Sequence, residues 1–184
     1  MKIHPNNIFW IEQPVEPEMM DYIKSQVELA EVDYRDQLVG HITSSKQLPD
    51  KELKLTNYIE NAARQINYLE HTQYKMNDMW VNFQKKHEFN PVHTHACKLS
   101  FVIWVEVPYT YEDECNSAAA RGVAEAPCAG CFEFLYTNLS GYIERFTYPP
   151  TENRLLIFPA SFPHLVYPFY TSDETRISVS GNLF

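Results

Sequence analysis

The chain of 184 residues has an ordinary globular composition, with 45% hydrophobic and 21% charged residues. This length predicts one domain whose core needs no disulfides. The formal net charge of −9 and the absence of a lysine or arginine cluster argue against nucleic acid and anionic membranes as partners. The sequence shows no signal peptide and no run of transmembrane length, so we expect a cytoplasmic protein.

Apolar residues recur at helical spacing in the first part of the chain. Pro17 suits a first helical turn, and an apolar stripe follows it at Met20, Ile23 and Val27. A longer stripe in "PDKELKLTNYIENAARQINYLEH" predicts a second helix, with apolar positions at Leu55, Ile59, Ala62, Ile66 and Leu69. We therefore predict that residues 1–78 are mainly a helical support that covers a sheet.

From Met79 onward the pattern changes to short segments rich in β-branched and aromatic residues, separated by proline and glycine. Such spacing is typical of an all-β sandwich or barrel, and it predicts a jelly-roll core over residues 79–184. The segment "LSFVIWVEV" is apolar on both faces and should form a central strand. The fold class is thus predicted to be α+β, with N-terminal helices packed on the major sheet.

The segment between Pro108 and Gly130 predicts a long connection of the kind found in lids and mobile loops. Its acidic run "YEDEC" is most simply a solvated loop, with a lid as the alternative. Of the four cysteines, Cys128 and Cys131 form a C-x-x-C pair, which lacks the second pair of a zinc ribbon. We interpret this pair as two thiols in a loop that leads into a strand.

Two of the seven histidines, His93 and His95, stand one residue apart before the central apolar segment. On a β-strand, residues i and i+2 point to the same face, so both imidazoles would face one side. A third histidine, His164, precedes "LVYPFY", and an adjacent antiparallel strand could bring it beside the first two. This combination predicts a metal site of three histidines. His4, His41 and His71 are expected to be solvated, and His87 to be a turn residue.

An arginine inside the last predicted strand needs a partner, because a charge is seldom buried alone. Arg176 would lie in the same cavity as the histidines, with Ser178 on the same face. A bound carboxylate is the natural partner, since the planar guanidinium grips it with two hydrogen bonds. Asn82, which shares a strand face with Trp80, is a further candidate for binding co-substrate or substrate.

The order of these residues resembles the iron(II)- and 2-oxoglutarate-dependent oxygenases, which have a double-stranded β-helix core related to the cupins. "HTH" at His93 to His95, then His164, then "RIS" at Arg176 to Ser178 follow the family pattern over about half of the chain. The surrounding sequence looks like a small branch met in phage and marine microbial genomes. The resemblance implies iron ligation by His93 and His164, and binding of the distal carboxylate of 2-oxoglutarate by Arg176 and Ser178. It implies hydroxylation of a C–H bond with decarboxylation of 2-oxoglutarate to succinate.

His95 departs from the family pattern, in which a carboxylate stands at this position. Imidazole is a good iron ligand, so we interpret His95 as the third ligand, with Glu88 and Glu106 as less well placed carboxylates. Two other functions stay open: a cupin-type three-histidine dioxygenase that uses no keto acid, and a non-catalytic module that binds metal or a small acid. The sequence favours a small molecule or peptide as substrate, and edge strands of the jelly roll allow a homodimer.

Overall fold

The two sheets of this protein pack face to face through one shared cluster of apolar side chains. The computed structural model describes residues 2–3, 9–66, 73–120 and 127–184. The helices are α1 (Pro17–Glu28), α2 (Lys54–Ala63) and α3 (Tyr111–Asn116), with a short 3-10 turn at Arg35–Gln37. The strands are β1 (Lys2–Ile3), β2 (Phe9–Pro14), β3 (Ser45–Gln47), β4 (Met76–Gln84), β5 (Asn90–His93), β6 (Leu99–Glu106), β7 (Phe132–Thr137), β8 (Ile143–Tyr148), β9 (Arg154–Pro159), β10 (His164–Val166) and β11 (Arg176–Leu183).

Each of the two sheets is antiparallel wherever its strands pair. The major sheet has seven strands in the order β1-β2-β9-β6-β11-β4-β3, and the minor sheet has four in the order β5-β10-β7-β8. Strand β6 lies between β9 and β11 and is buried except at its last residue, Glu106. The prediction of a central strand at "LSFVIWVEV" is therefore confirmed.

Alternate residues of the major sheet enter two separate hydrophobic clusters. Ile103 joins the cluster that includes the apolar faces of α1 and α2, whereas Trp104 joins the cluster shared with β7 of the minor sheet. The period of two along a strand explains this division. The helices thus cover one face of the major sheet, and the other face turns toward the minor sheet.

The two predicted helices form, but the second is shorter than its apolar stripe suggested. The chain turns through a left-handed residue at Leu53, and the Asp50 carboxylate accepts hydrogen bonds from the N–H groups of Leu55 and Thr56 at 3.3 and 2.7 Å. This cap fixes where α2 begins. Leu55, Ile59, Ala62 and Ile66 are buried as predicted, whereas Leu69 lies outside the described residues.

The first part of the chain also contributes strands, which the helical interpretation left out. Strand β2 pairs with β9, and β3 pairs with β4. In β2, Trp10 enters the cluster between the sheets while Ile11 enters the cluster under the helices, the period-two signature of a strand. Within the described part of the chain, no helix has both the length and the apolar character needed to cross a membrane.

We expect Ile59→Ala to lower the free energy of unfolding by about 2–5 kcal/mol, because Ile59 is fully buried between α2 and the sheet. Asn57, on the exposed side of the same helix, provides the matched control, and Asn57→Ala should change stability by no more than about 0.5 kcal/mol. Urea denaturation followed by circular dichroism measures both. Equal shifts of the two unfolding midpoints would contradict packing of this helix face on the sheet.

Candidate metal and carboxylate site

The minor sheet places two of the candidate histidines opposite each other on neighbouring strands. In the antiparallel pair of β5 and β10, His93 lies directly opposite His164, and their ring centroids are 4.2 Å apart. The ring centroid of His95 lies 5.1 Å from that of His93 and 5.3 Å from that of His164. The nitrogen atoms that these three rings offer all lie within 4.8 Å of one another. The three side chains thus converge on one point.

The position of His95 differs from the expectation that it shares a strand with His93. Strand β5 ends at His93, and His95 lies in the segment between β5 and β6. Its backbone N–H donates to the carbonyl of Ala160 at 2.8 Å, and its ring stands at 80° to that of His93. A backbone hydrogen bond between the β5–β6 and β9–β10 connections therefore places His95, rather than the alternation of a strand.

Two of the three rings are fixed by their own backbone. The Nδ1 atom of His93 lies 2.8 Å from the carbonyl oxygen of Pro91, and the Nδ1 atom of His164 lies 2.8 Å from that of Phe162. A carbonyl only accepts hydrogen bonds, so Nδ1 carries the proton in each ring. The Nε2 atoms of His93 and His164 are then left with lone pairs, which is the form that a metal needs.

Burial keeps the histidines neutral. Desolvation, reinforced by the neighbouring His93, lowers the pKa of His164 to about 3 and that of His95 to about 4. Desolvation also lowers the pKa of His93. The charge of Asp78 acts in the opposite direction on the pKa of His95. At neutral pH the cluster therefore offers three uncharged imidazoles.

A cavity of about 230 Å³ opens between the sheets beside the histidines. All six residues that the sequence singled out line this cavity: Asn82, His93, His95, His164, Arg176 and Ser178. Among the described lining residues, Arg176 is the one that carries a charge at neutral pH. Its remaining walls are largely apolar and aromatic, formed among others by Trp80, Val102, Trp104, Phe132, Phe158 and Val166. The histidine cluster and the arginine thus lie in one cavity with a largely apolar lining.

Arg176, which is only 2% exposed, is held entirely by neutral acceptors. Its Nη1 atom donates to the hydroxyl of Tyr109 and, at 2.6 Å, to the carbonyl of Gly130, and its Nη2 atom donates to Oε1 of Gln84. Gly130 has a positive φ of 72°, the left-handed conformation that glycine adopts at little cost, and this turn presents its carbonyl to the guanidinium. In the described part of the chain, no carboxylate forms an ion pair with Arg176.

Ser178 and Asn82 lie opposite each other on β11 and β4. The Oδ1 atom of Asn82 accepts a hydrogen bond from the hydroxyl of Ser45 at 2.8 Å, so its amide NH₂ is the group available to the cavity. Ser178 is half-buried and lines the same cavity. The cavity therefore offers hydrogen-bond donors next to the guanidinium.

Sequence reasoning missed two residues that hold Arg176, namely Gln84 and Tyr109. Gln84 stands two positions after Asn82 on β4, so the alternation of the strand carried a usable signal. Tyr109 comes from the long connection after β6, and its contact with Arg176 spans residues far apart in the sequence. No pattern along the chain indicates such a contact.

The prediction of a loop at the acidic run was wrong, because the run is helical. Glu112 and Asp113 are exposed to solvent as expected, whereas Glu114 is buried. The run forms α3, and the fully buried Glu114 accepts hydrogen bonds from the N–H groups of Tyr170 and Thr171 and from the Thr171 hydroxyl. The carboxylate thus ties the connection to the segment before β11. Residues 121–126 of the connection lie outside the described residues.

The remaining candidates behave as ordinary structural residues. Cys128 and Cys131 are free, buried thiols in a turn that leads into β7, as interpreted from the sequence. His87 has a positive φ of 71° and occupies a turn, and His41 is exposed, both as predicted. The predictions for His4 and His71 fall outside the described residues.

The solved structures that resemble this chain share its fold at low sequence identity. An oxidoreductase of the 2OG-Fe(II) oxygenase family from Burkholderia pseudomallei aligns over 95% of this chain and 84% of its own, with a TM-score of 0.61 and 11% identity. A Trichoplax adhaerens prolyl hydroxylase, solved with a peptide fragment of the hypoxia inducible factor, aligns over 98% and 84%, with a TM-score of 0.60 and 14% identity. A Pseudomonas putida prolyl-4-hydroxylase aligns over 97% and 93%, with a TM-score of 0.59 and 14% identity.

These similarities confirm the predicted double-stranded β-helix fold. No relative was found among curated protein sequences. A family model described as "Putative 2OG-Fe(II) oxygenase" matches residues 78–182, which is more than half of the chain. The chain therefore belongs to the 2OG-Fe(II) oxygenase family.

Proposed function

We propose that this protein is an iron(II)- and 2-oxoglutarate-dependent dioxygenase that hydroxylates a C–H bond of a small molecule or peptide. The observation that carries the proposal is the pairing, in one cavity, of three neutral imidazoles with a buried arginine that has no carboxylate partner among the described residues. Such a cavity suits two ligands, a metal at the histidines and an anion at the arginine.

The donor atoms fit iron(II). Imidazole suits iron, and the rings of His93 and His164 are held so that each presents a lone pair. The alternative carboxylates are engaged or distant: Glu88 accepts from the N–H groups of Thr43 and Lys85, and Glu106 is exposed at the end of β6. We therefore assign His93, His95 and His164 as the ligands.

Bound iron(II) would supply the activation of dioxygen that couples decarboxylation of 2-oxoglutarate to hydroxylation. The protein's own contribution is binding and orientation. Arg176 grips the distal carboxylate of 2-oxoglutarate, with the Ser178 hydroxyl beside it, and the Asn82 amide donates to co-substrate or substrate. Three neighbours hold the guanidinium in place, namely Gln84, Tyr109 and the Gly130 carbonyl. Binding of the acid therefore costs little further side-chain entropy.

The apolar walls strengthen these contacts by excluding water, since hydrogen bonds between ions are stronger in a medium of low dielectric constant. They also protect the reaction from side reactions with solvent. The proposed substrate is a small molecule or a peptide. The Trichoplax hydroxylase, which has this fold, was solved with a peptide, and the acidic character of this chain disfavours nucleic acid.

We expect His164→Ala and His95→Ala each to weaken Co²⁺ or Fe²⁺ binding by more than about 100-fold, because loss of a ligand should exceed the 10- to 100-fold effect of losing an outer partner. Anaerobic calorimetric titration of the metal-free protein measures this affinity. His41→Ala, which removes an exposed histidine, should leave the affinity unchanged. Tight binding that survives loss of His95 would show that this residue is not a ligand.

We expect Arg176→Gln to weaken 2-oxoglutarate binding to the iron-loaded protein by at least about 30-fold, since breaking a buried charge pair costs about 2 kcal/mol or more. The visible charge-transfer absorption of an iron-bound keto acid reports this binding. Arg64→Gln removes an exposed arginine at the end of α2 and serves as the control. Metal affinity should stay the same in both variants.

The same titration separates the proposed function from its rivals. Iron binding without a keto-acid absorption band, with turnover that survives Arg176→Gln, would favour a three-histidine dioxygenase that binds its substrate directly. Metal binding without oxygen consumption dependent on 2-oxoglutarate would favour a non-catalytic module. Formation of succinate that depends on Arg176 would support the dioxygenase.

A further inference from the structure

One carboxylate lies close to the histidine cluster without lining the cavity. Asp78, Trp80, Asn82 and Gln84 alternate along β4, so their side chains share the face that turns toward the minor sheet. The last three line the cavity, and the ring centroid of Trp80 lies 5.9 Å from that of His95. Asp78 therefore continues this row at the end where His95 lies, whereas Gln84 marks the end where Arg176 lies.

The hydrogen bonds of Asp78 are incomplete. Its Oδ2 atom accepts from the hydroxyl of Tyr34 at 2.8 Å, and the Tyr34 ring stacks on Trp80, which fixes the carboxylate on this face. Its Oδ1 atom is buried and has no hydrogen-bond partner among the described residues. A buried carboxylate oxygen without a donor is costly, so its presence requires an explanation.

His95 has the complementary deficit. The rings of His93 and His164 each donate to a backbone carbonyl, whereas the His95 ring makes no hydrogen bond with the described residues. The Trp80 ring, which neighbours Asp78 on this face of β4, lies beside the His95 ring. Metal-binding histidines commonly donate their second N–H to a carboxylate, which orients the ring and makes it a stronger ligand.

We infer that Asp78 is the positioning residue of His95, accepting the N–H of the ring nitrogen that does not bind metal and supplying the negative charge that an imidazole ligand lacks. The inference rests on the proposed function, since it assumes that His95 binds metal. Asp78, which is not a ligand, would then supply through His95 the negative charge that a carboxylate ligand supplies to the metal directly. Two imidazoles are oriented by backbone carbonyls and the third by an anion.

A double-mutant cycle on Co²⁺ affinity tests this inference. Asp78→Asn keeps the shape of the side chain and an oxygen for Tyr34, and we expect it to weaken Co²⁺ binding by about 10- to 100-fold. In a His95→Asp background the ligand itself supplies the charge, so Asp78→Asn should then change the affinity by less than about 3-fold, the range expected for independent sites. The cobalt absorption spectrum should change with Asp78→Asn in the His95 protein, because the ring orientation changes.

Three controls separate charge from structure. Tyr34→Phe removes the other contact of Asp78 and keeps its charge, so Co²⁺ affinity should stay within about 3-fold of the parent protein. Asp21→Asn removes an exposed carboxylate of α1 and should have no effect. If Asp78→Asn does not fold, the equally sized pair Asp78→Glu and Asp78→Gln carries the test, and the glutamate variant should bind Co²⁺ at least about 10-fold more tightly.

Each outcome identifies the statement that fails. An equal loss of affinity in the His95 and His95→Asp backgrounds, or no loss in either, overturns the role of Asp78 and leaves the metal site intact. Co²⁺ binding by the parent protein that is indifferent to His95→Ala overturns the ligand assignment, and the inference about Asp78 falls with it.

Discussion

The structure of this cavity depends on a guanidinium that is buried between two sheets without a counter-ion in the described part of the chain. Arg176 begins β11, a strand in the interior of the major sheet, and its position is set by eight residue pairs with β4. Gln84 of β4, Tyr109 and the Gly130 turn supply neutral acceptors. These acceptors take three hydrogen bonds from the guanidinium but carry no charge, so they leave its positive charge uncompensated. In the proposed function this fixed cation binds an anion without the reorganisation that water would require.

The position of this cation depends in turn on the connection after β6. Glu114 accepts hydrogen bonds from three donor groups of residues 170 and 171, which lead toward β11. Tyr109 stacks on Phe169, with ring centroids 4.9 Å apart. These contacts attach the connection to the chain just before Arg176. They explain why a segment whose length and acidity predict a solvated loop contributes Tyr109 to the arginine end of the cavity.

The sequence was informative where local periodicity decides structure. The helical stripes, the central strand at "LSFVIWVEV" and the short strands from Met79 onward follow from local periodicity, and so does the shared face of Arg176 and Ser178. It was uninformative where contacts between distant residues decide. The start of α2 is set by the Asp50 cap, His95 is placed by the Ala160 carbonyl, and Tyr109 reaches Arg176 from a connection without periodicity. Strand β2 could not be predicted because its sequence, FWIEQP, has no apolar–polar alternation, and its pairing with β9 joins residues far apart in the chain.

The replacement of a carboxylate by His95 becomes intelligible when the charges of the whole cavity face are considered. Three neutral imidazoles leave a divalent metal with no inner negative charge from the protein. Asp78 and Gln84 are six positions apart on β4, about 20 Å along an extended strand, so the Asp78 carboxylate is too distant to neutralise the Arg176 guanidinium at the other end. The two charges therefore do not neutralise each other. In the proposed function, Arg176 binds an anion, Asp78 favours a cation among the histidines, and the strand between them sets the separation of the two sites.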